Sequence, residues 1–442
     1  MGILAKAGVA LQRLFEDVAQ TAADESGVIE RTRKFTALSL ARTFVLGFLR
    51  NPRASDEKLA QMAVPCGVEV TPQAIEQRHT PKLVAFLQKL FCGATRLVVG
   101  SDKALAPLLE RFTSVIMLDS STITLPDDLQ EQFRGCGGSY GGGAAALKLQ
   151  TELDLRSGAL THVEIEPGRS TDAATSRQHV RHGPGSLRIS DLGYFNLLVF
   201  AAMTAAGEHF LSRLQFGVQV LLGEGRRVDV LCWLGKQRGP FVDQPILLGQ
   251  EQRLACRLIA WRLPEEQANR RRQKLCQETR SKRGREPSVE RLAWCDWTIL
   301  VTNVPVEKLT PKEATVLYRA RWQVELLFKR WKSQGLVAEL SGSTVVRQMV
   351  RVWSRLLAVV VQHWLVIGSI GGQAKKSLSK AYEAVRDFAG RLGAALLHPP
   401  DLERVLDDVG RTLAKTCRRD PRSKPGTFEL LNDPELLDFR LT

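Results

Sequence analysis

The sequence predicts a mixed α/β protein. Helical regions at residues 1–105 and 346–442 flank a central sheet-bearing segment, residues 106–345, which carries a β-rich insertion at about 208–303. Three patterns lead there. Apolar residues recur at three- and four-residue spacing near both ends, strict alternation dominates the middle, and helical spacing returns after residue 310.

At the N-terminal end, Thr36–Leu49 and Pro81–Phe91 carry the helical period. Between them lies a possible helix-turn-helix. Ser55 is placed to cap a helix through Glu57, Leu59 and Met62, and Thr71-Pro72 follows the Pro65–Gly67 turn as a second helix start. That second helix would present Gln73, Gln77 and Arg78 to DNA, or the pair packs as ordinary helices.

From residue 114 the period changes. Ser114–Leu118 is a short apolar run ending in Asp119, and Thr122–Leu125 prolongs it. The glycine-rich stretch Gly135–Gly143 lacks the Lys-Ser/Thr that ends a phosphate-binding loop, so it reads as a flexible connection. Leu147 to Leu155 alternates with Lys148, Gln150, Glu152 and Asp154, the pattern of a half-buried strand, and His162–Glu166 pairs with it across the Ser157-Gly158 turn. A helix is expected from about Thr171, a strand at Leu187–Ser190 ending in Asp191, and a helix at Asn196–Ala206. Three strands, a helix, a strand and a helix in that order outline a ribonuclease-H-like sheet.

Phe216–Leu222, Val228–Leu234 and Leu254–Trp261 then read as strands, interrupted by the basic stretch Asn269–Arg285. A long helix is expected from Pro311 to Lys332, followed by mostly helical sequence with a Pro- and Arg-rich patch at Arg418–Pro425.

Composition narrows the function. The chain has 442 residues, 44% of them hydrophobic, enough for a real core and against disorder. Its 62 Lys and Arg against 47 Asp and Glu leave a net charge of +15, which points to a polyanionic partner. The longest apolar run, Leu356–Ile370, is broken by Gln362 and His363 and reads as a buried core helix rather than a membrane span. With no signal-peptide pattern at the N-terminus, the expected location is the cytoplasm, with the nucleoid. Eight cysteines and seven histidines are scattered without zinc-ligand spacing, which predicts free thiols.

The helix ATVLYRARWQVELLFKRWK carries the sharpest local signal. Advancing about 100° per residue from Tyr318 puts Arg321, Glu325 and Lys332 within about 60° of it, on one stripe. Leu317, Val324, Phe328 and Trp331 form the neighbouring apolar stripe. Taken alone, Arg321–Glu325 and Glu325–Lys329 also suit a solvated face of i,i+4 pairs. Asp119 and Asp191, each after an apolar strand, supply two more carboxylates. Three carboxylates in a basic chain are the hard oxygen set that two Mg²⁺ ions use in phosphodiester chemistry, with no need of His or Cys.

Tyr318, Arg321, Glu325 and Lys332 reproduce Y-x2-R-x3-E-x6-K. In this the chain resembles the bacterial DDE insertion-sequence transposases of the insertion-sequence-four group. Asp191-Leu-Gly-Tyr194 is similar to the group's D-x-G-Y/F element, and Asp119 sits where the first aspartate is expected. Separations of 72 and 134 residues between the three carboxylates leave room for the group's β-rich insertion before the glutamate. Trp297 resembles the tryptophan on which these enzymes stack a flipped base; it reads equally as a strand core residue, alternating with Ile299 and Val301.

The resemblance covers roughly residues 110–335. It implies a cut-and-paste DNA transposase with Asp119, Asp191 and Glu325 as catalytic residues and metal ligands for two Mg²⁺, for which Mn²⁺ can substitute. Tyr318, Arg321, Lys329, Lys332 and Trp297 would contact DNA. It further implies hairpin ends, action on double-stranded inverted-repeat ends and target DNA, and a homodimer in a synaptic complex. Two rivals share these residues: a nuclease of the same fold, and a non-catalytic DNA-binding regulator derived from a transposase.

Overall fold

The computed structural model describes residues 2–30, 34–137, 143–172, 175–223, 225–239, 241–333, 335, 344–421 and 424–438. The chain divides into two compact units. One comprises residues 1–105, 119–170 and 323–423; the other comprises residues 106–118, 171–322 and 424–442.

The first unit is helical around a short sheet. Its N-terminal helices include Ala37–Arg50, capped by Thr36 in a reciprocal box with Ser39, and Pro81–Ala94, capped by Thr80 with proline at its first position. Ser55 caps Asp56–Ala63 and Thr71 caps Pro72–Glu76, at the expected positions. The second of these helices spans only five residues. Gln73 is exposed on it, Gln77 is its C-cap, and Arg78 lies past its end with its guanidinium over the Phe35 ring at 5.5 Å.

The sheet of this unit holds the second half of β1 (Val115–Leu125), β2 (Ala145–Asp154) and β3 (Ala159–Pro167), in the order β3-β2-β1. β2 and β3 form an antiparallel hairpin with a register shift at Glu152/Leu153. β1 runs on for six residues past Asp119, as the Thr122–Leu125 prolongation predicted. β2 differs from expectation: it is buried on both faces. Its polar side is covered as well. Lys148 Nζ donates to the Ser170 carbonyl, and Asp154 accepts from Arg156 N at 3.1 Å and Ser157 Oγ at 2.5 Å. Of the glycine-rich connection before β2, residues 138–142 lie outside the described residues, as do 422–423 of the Arg418–Pro425 patch.

The second unit holds the first residues of β1 together with β4 (Leu187–Ser190), β5 (His209–Arg213), β6 (Val220–Leu222), β7 (Arg226–Val228), β8 (Phe241–Leu248), β9 (Leu254–Arg262) and β10 (Trp297–Thr302). The strand order is β1-β4-β5-β10-β9-β8-β6-β7. β1, β4 and β5 run parallel, and β5, β10, β9 and β8 antiparallel. The helix Leu197–Ala205 starts on an Asn196 cap, as expected. It contributes to one apolar core, in which Phe200 stacks on Phe210 at 4.4 Å beside Leu258, Ile299 and Val301.

Three expectations in this unit need correction. No α-helix follows Thr171: among the described residues a 3-10 turn, Ser176–His179, stands there. The buried Arg188 of β4 holds that turn by donating to the carbonyls of Gln178 at 2.6 Å and Val180 at 2.5 Å. Phe216–Leu222 supplies a strand only at its last three residues. Val228–Leu234 is largely a short helix, Val230–Gly235, because Asp229 accepts from Cys232 N and caps it. The basic stretch, for which the sequence set no element, lies mostly in helix α1 (Glu265–Arg283).

The single helix expected over Pro311–Lys332 is two, α2 (Pro311–Ala320) and α3 (Trp322–Ser333). At Arg321 the amide bonds the Tyr318 carbonyl three residues back, at 3.2 Å, which tightens the turn. Thr310 and Glu313 form a capping box at the start of α2, and Arg111 grips Glu313 with both terminal nitrogens. In the first unit, α4 (Val345–Ile370) packs against Ile3–Arg13, Ala37–Arg50, Pro81–Ala94 and Pro399–Thr416. Its length and composition would suffice to cross a membrane, yet 94% of its most apolar window is buried inside the protein, as expected of a core helix.

Candidate active site

Parallel pairing of β1 with β4 sets the two aspartates. Leu118 is in register with Ser190, so Asp119 and Asp191 each follow one end of the same paired rung. Both are half-buried. Asp119 accepts from the amide of Ser120 at 2.9 Å and continues the strand, whereas Asp191 leaves β4 at the start of the 3-10 turn Leu192–Tyr194.

In the first unit, α3 brings Glu325 in its first turn and the cations Lys329 and Lys332 toward its end. The apolar stripe packs as its spacing predicts, with Val324, Phe328 and Trp331 buried, while Glu325 and Lys332 are half-buried and Lys329 is exposed. Lys332 Nζ donates to the Thr122 carbonyl of β1 at 2.7 Å, so the helix is tied to the strand that carries Asp119. Burial pulls the Lys332 ammonium below its ordinary range.

In the second unit, the Arg321 guanidinium lies over the Tyr318 ring at 5.9 Å. Burial pushes the Tyr318 phenol up to about 12; the Asp191 carboxylate adds to this, and Arg321 and Arg213 oppose it. The phenol is therefore a hydrogen-bond donor throughout the neutral range. Trp297 opens β10, half-buried against the apolar core, and its carbonyl accepts from Arg271 at 3.2 Å. Arg213 and Arg271 belong to these surroundings and were not singled out from the sequence. A lone arginine at a strand end and the middle residue of an Arg-Arg-Arg run carry no spacing signal.

Among the described residues no three His, Cys, Asp or Glu side chains lie close enough together to hold a metal ion. The donor chemistry of Asp119, Asp191 and Glu325 still suits a hard divalent cation, because carboxylate oxygens that keep partial access to water match its preference.

Aspartates follow two adjacent parallel strands, and likeness to known proteins supplies the class: metal-dependent enzymes that act on DNA. The chain belongs to the family described as Transposase DDE domain, whose model matches residues 110–361. It is 26% identical over 435 residues to the transposase for insertion sequence element IS231B of Bacillus thuringiensis subsp. berliner, covering 92% of this chain and 90% of the relative. It is 27% identical over 438 residues to that of IS231F from Bacillus thuringiensis subsp. israelensis, covering 92% and 91%. The transposase for IS1151 of Clostridium perfringens is 24% identical over 324 residues, covering 68% and 67%. The protein is a DDE insertion-sequence transposase, an enzyme that acts on DNA.

Proposed function

We propose that this transposase works by cut-and-paste, with Asp119, Asp191 and Glu325 as its catalytic carboxylates on a ribonuclease-H-like core. The observation that carries the reading is the Leu118–Ser190 rung, which sends two aspartates from adjacent parallel strands. The order β3-β2-β1-β4-β5, with the first pair antiparallel and the last two parallel, supports the core.

The three carboxylates would hold two Mg²⁺ ions, or Mn²⁺, which when bound supply Lewis-acid activation of the attacking oxygen and stabilise the departing one. Lys332, Lys329 and Arg321 would grip phosphates beside the scissile bond, and the protonated Tyr318 hydroxyl would donate to one. Trp297, at the rim of its core, would stack a base turned out of the duplex.

The reaction sequence is nicking, attack of the freed 3′-hydroxyl on the opposite strand, and reopening of the hairpin before transfer to target DNA. In the attack a new P–O bond forms as the flanking strand's 3′-oxygen leaves and takes up a proton. The substrates would be double-stranded inverted-repeat ends and target DNA, engaged by a homodimer on the nucleoid in the cytoplasm.

The test is a denaturing gel of a labelled duplex carrying the flanking inverted repeat, with Mg²⁺ and purified protein. Wild type should give nicked, hairpin and transferred strands. Glu325→Ala and Asp119→Ala should give none while binding the ends almost normally, and Lys332→Ala should weaken both binding and cleavage. Cleavage by either carboxylate variant, or equal binding loss in Asp119→Ala and Lys332→Ala, contradicts the assignment. Cutting without joining would make the protein a nuclease, and binding without cutting a regulator.

A further inference from the structure

The Pro- and Arg-rich patch that begins at Arg418 lies beyond residues 110–361, the stretch that the transposase family model matches. In the helical unit it meets a second basic segment. Helix α4 ends on a Gly371 cap, and Gly372 then turns the chain at φ +74°, where a β-carbon would come within 2.8 Å of the Leu105 carbonyl oxygen. Helix Pro399–Thr416 ends just before Cys417, which is buried. The two exits run side by side around an isolated Lys376–Arg418 bridge. Ser377 N donates to the Cys417 carbonyl at 2.9 Å, and Arg419 N to the Lys375 carbonyl at 3.0 Å.

Residues 373–380 and 414–421 carry six cations and one anion. Two of the cations are spent within the fold. Lys376 Nζ donates to the Ala414 carbonyl in the last turn of Pro399–Thr416, and Lys380 pairs with Asp420 at 2.6 Å. Lys375 and Arg418 are exposed, and neither side chain has a hydrogen-bond or carboxylate partner among the described residues. Both line an open cleft of about 720 Å³, together with Lys376, Arg419 and Asp420.

Backbone bonds hold these like charges beside one another, and a bound anion offsets their repulsion. Among the described residues, no large exposed hydrophobic side chain falls in either segment, whereas a protein partner would want an apolar centre. The enzyme acts on DNA, whose backbone is a polyanion that needs no apolar contact.

We propose that Lys375 and Arg418 form an anchor for duplex DNA outside the inverted repeat, gripping backbone phosphates without regard to sequence. Arg418 supplies a planar fork and Lys375 a compact charge on a flexible stem, and contacts of this kind hold a duplex in place without reading it. The anchor serves either the DNA that flanks the element or the target duplex, since both present the same phosphates. It needs no assignment of Asp119, Asp191 or Glu325.

Fluorescence anisotropy of the full chain on a random-sequence duplex, at several salt concentrations, reads the anchor directly. Lys375→Gln and Arg418→Gln together should weaken binding about tenfold at low salt and make the slope of log affinity against log salt shallower by about two. Lys375→Arg with Arg418→Lys should keep the wild-type slope. A short inverted-repeat duplex without flank should be bound and cut by the Gln pair as by wild type. Lengthening the flank, or offering a target duplex for strand transfer, then shows which DNA the variant no longer holds.

An unchanged slope, or an equal loss on the flank-free repeat, would overturn the anchor. So would the same change of slope in Lys236→Gln with Arg238→Gln, an exposed pair in the other unit, since net charge alone would then explain it. A dimer that dissociates in the Gln pair while its slope stays unchanged would overturn it too, giving the cleft to a second copy of the chain. A wild type that binds no duplex at all would sink the functional reading as well.

Discussion

Among single residues, His363 shows how tightly a polar group can be held inside the helical unit. It is fully buried on α4. The Gly158 carbonyl can only accept, so Nε2 carries the proton and donates to it at 3.0 Å, while Nδ1 faces the Tyr382 hydroxyl at 2.9 Å. Burial presses its pKa from 6.5 to about 4. The unfolded chain therefore binds a proton more readily than the folded one. The neutral ring's contribution is intact above about pH 6.5 and is lost progressively as pH falls toward 4. Between pH 7 and pH 5 the wild type should lose about 2 kcal/mol more stability than His363→Gln, measured by urea unfolding. An equal loss in both proteins would mean that the imidazole is not held neutral. Nothing in the sequence marked this residue except its interruption of an apolar run, which a buried, fully partnered histidine and a solvent-facing one produce alike.

At the scale of elements, the strands were legible wherever period and turn chemistry agreed. The Ser157-Gly158 turn joins β2 to β3 as expected, and Gly158 takes φ +75° there. A β-carbon at this position would also come within 2.9 Å of Leu105 Cδ1 and 3.0 Å of Ile367 Cγ2. Gly158→Ala should accordingly lower stability by about 2 kcal/mol, strain and crowding acting together, as read from a urea midpoint with unchanged slope. A loss below about 0.5 kcal/mol would show that the turn relaxes freely. Where period and propensity conflicted with a local cap, the cap won: Asp229 makes a helix of Val230–Gly235 despite its β-branched, aromatic character. Alternation also could not tell a half-buried strand from one covered on both faces, since a period of two sets which side chains share a face and not what covers it. The helical period that carries Tyr318 on α2 and Glu325 and Lys332 on α3 was readable. The break at Arg321 was not, because nothing in the residue types demands a three-residue bond there.

The net charge of +15 acts on the whole molecule, but its distribution decides what it can do. Helix α1 holds seven cations and three anions, and its mean hydropathy leaves no apolar face to bury. Among its described side chains, the exposed cations are committed to neighbours. Arg270 pairs with Glu266, Lys274 lies 3.9 Å from Glu278, and Arg280 pairs with Glu286. Exposed pairs of this kind contribute little to stability and are easily exchanged for phosphate. A DNA-facing α1 would therefore trade these partners on binding, and each traded cation would release fewer counterions than a free one. The combined variant Arg270→Gln, Lys274→Gln, Arg280→Gln should fold normally. It should bind any duplex more weakly at low salt, and the slope of log affinity against log salt should become shallower by about one to two rather than the nearly three expected of unpaired contacts. Cleavage position on an inverted-repeat end should not change, because none of the three side chains belongs to the proposed carboxylate site. Fluorescence anisotropy on a random-sequence duplex at several salt concentrations measures the slope directly. An unchanged slope would place α1 away from the DNA, and a shift in cleavage position would mean that this helix reads the end rather than simply holding it.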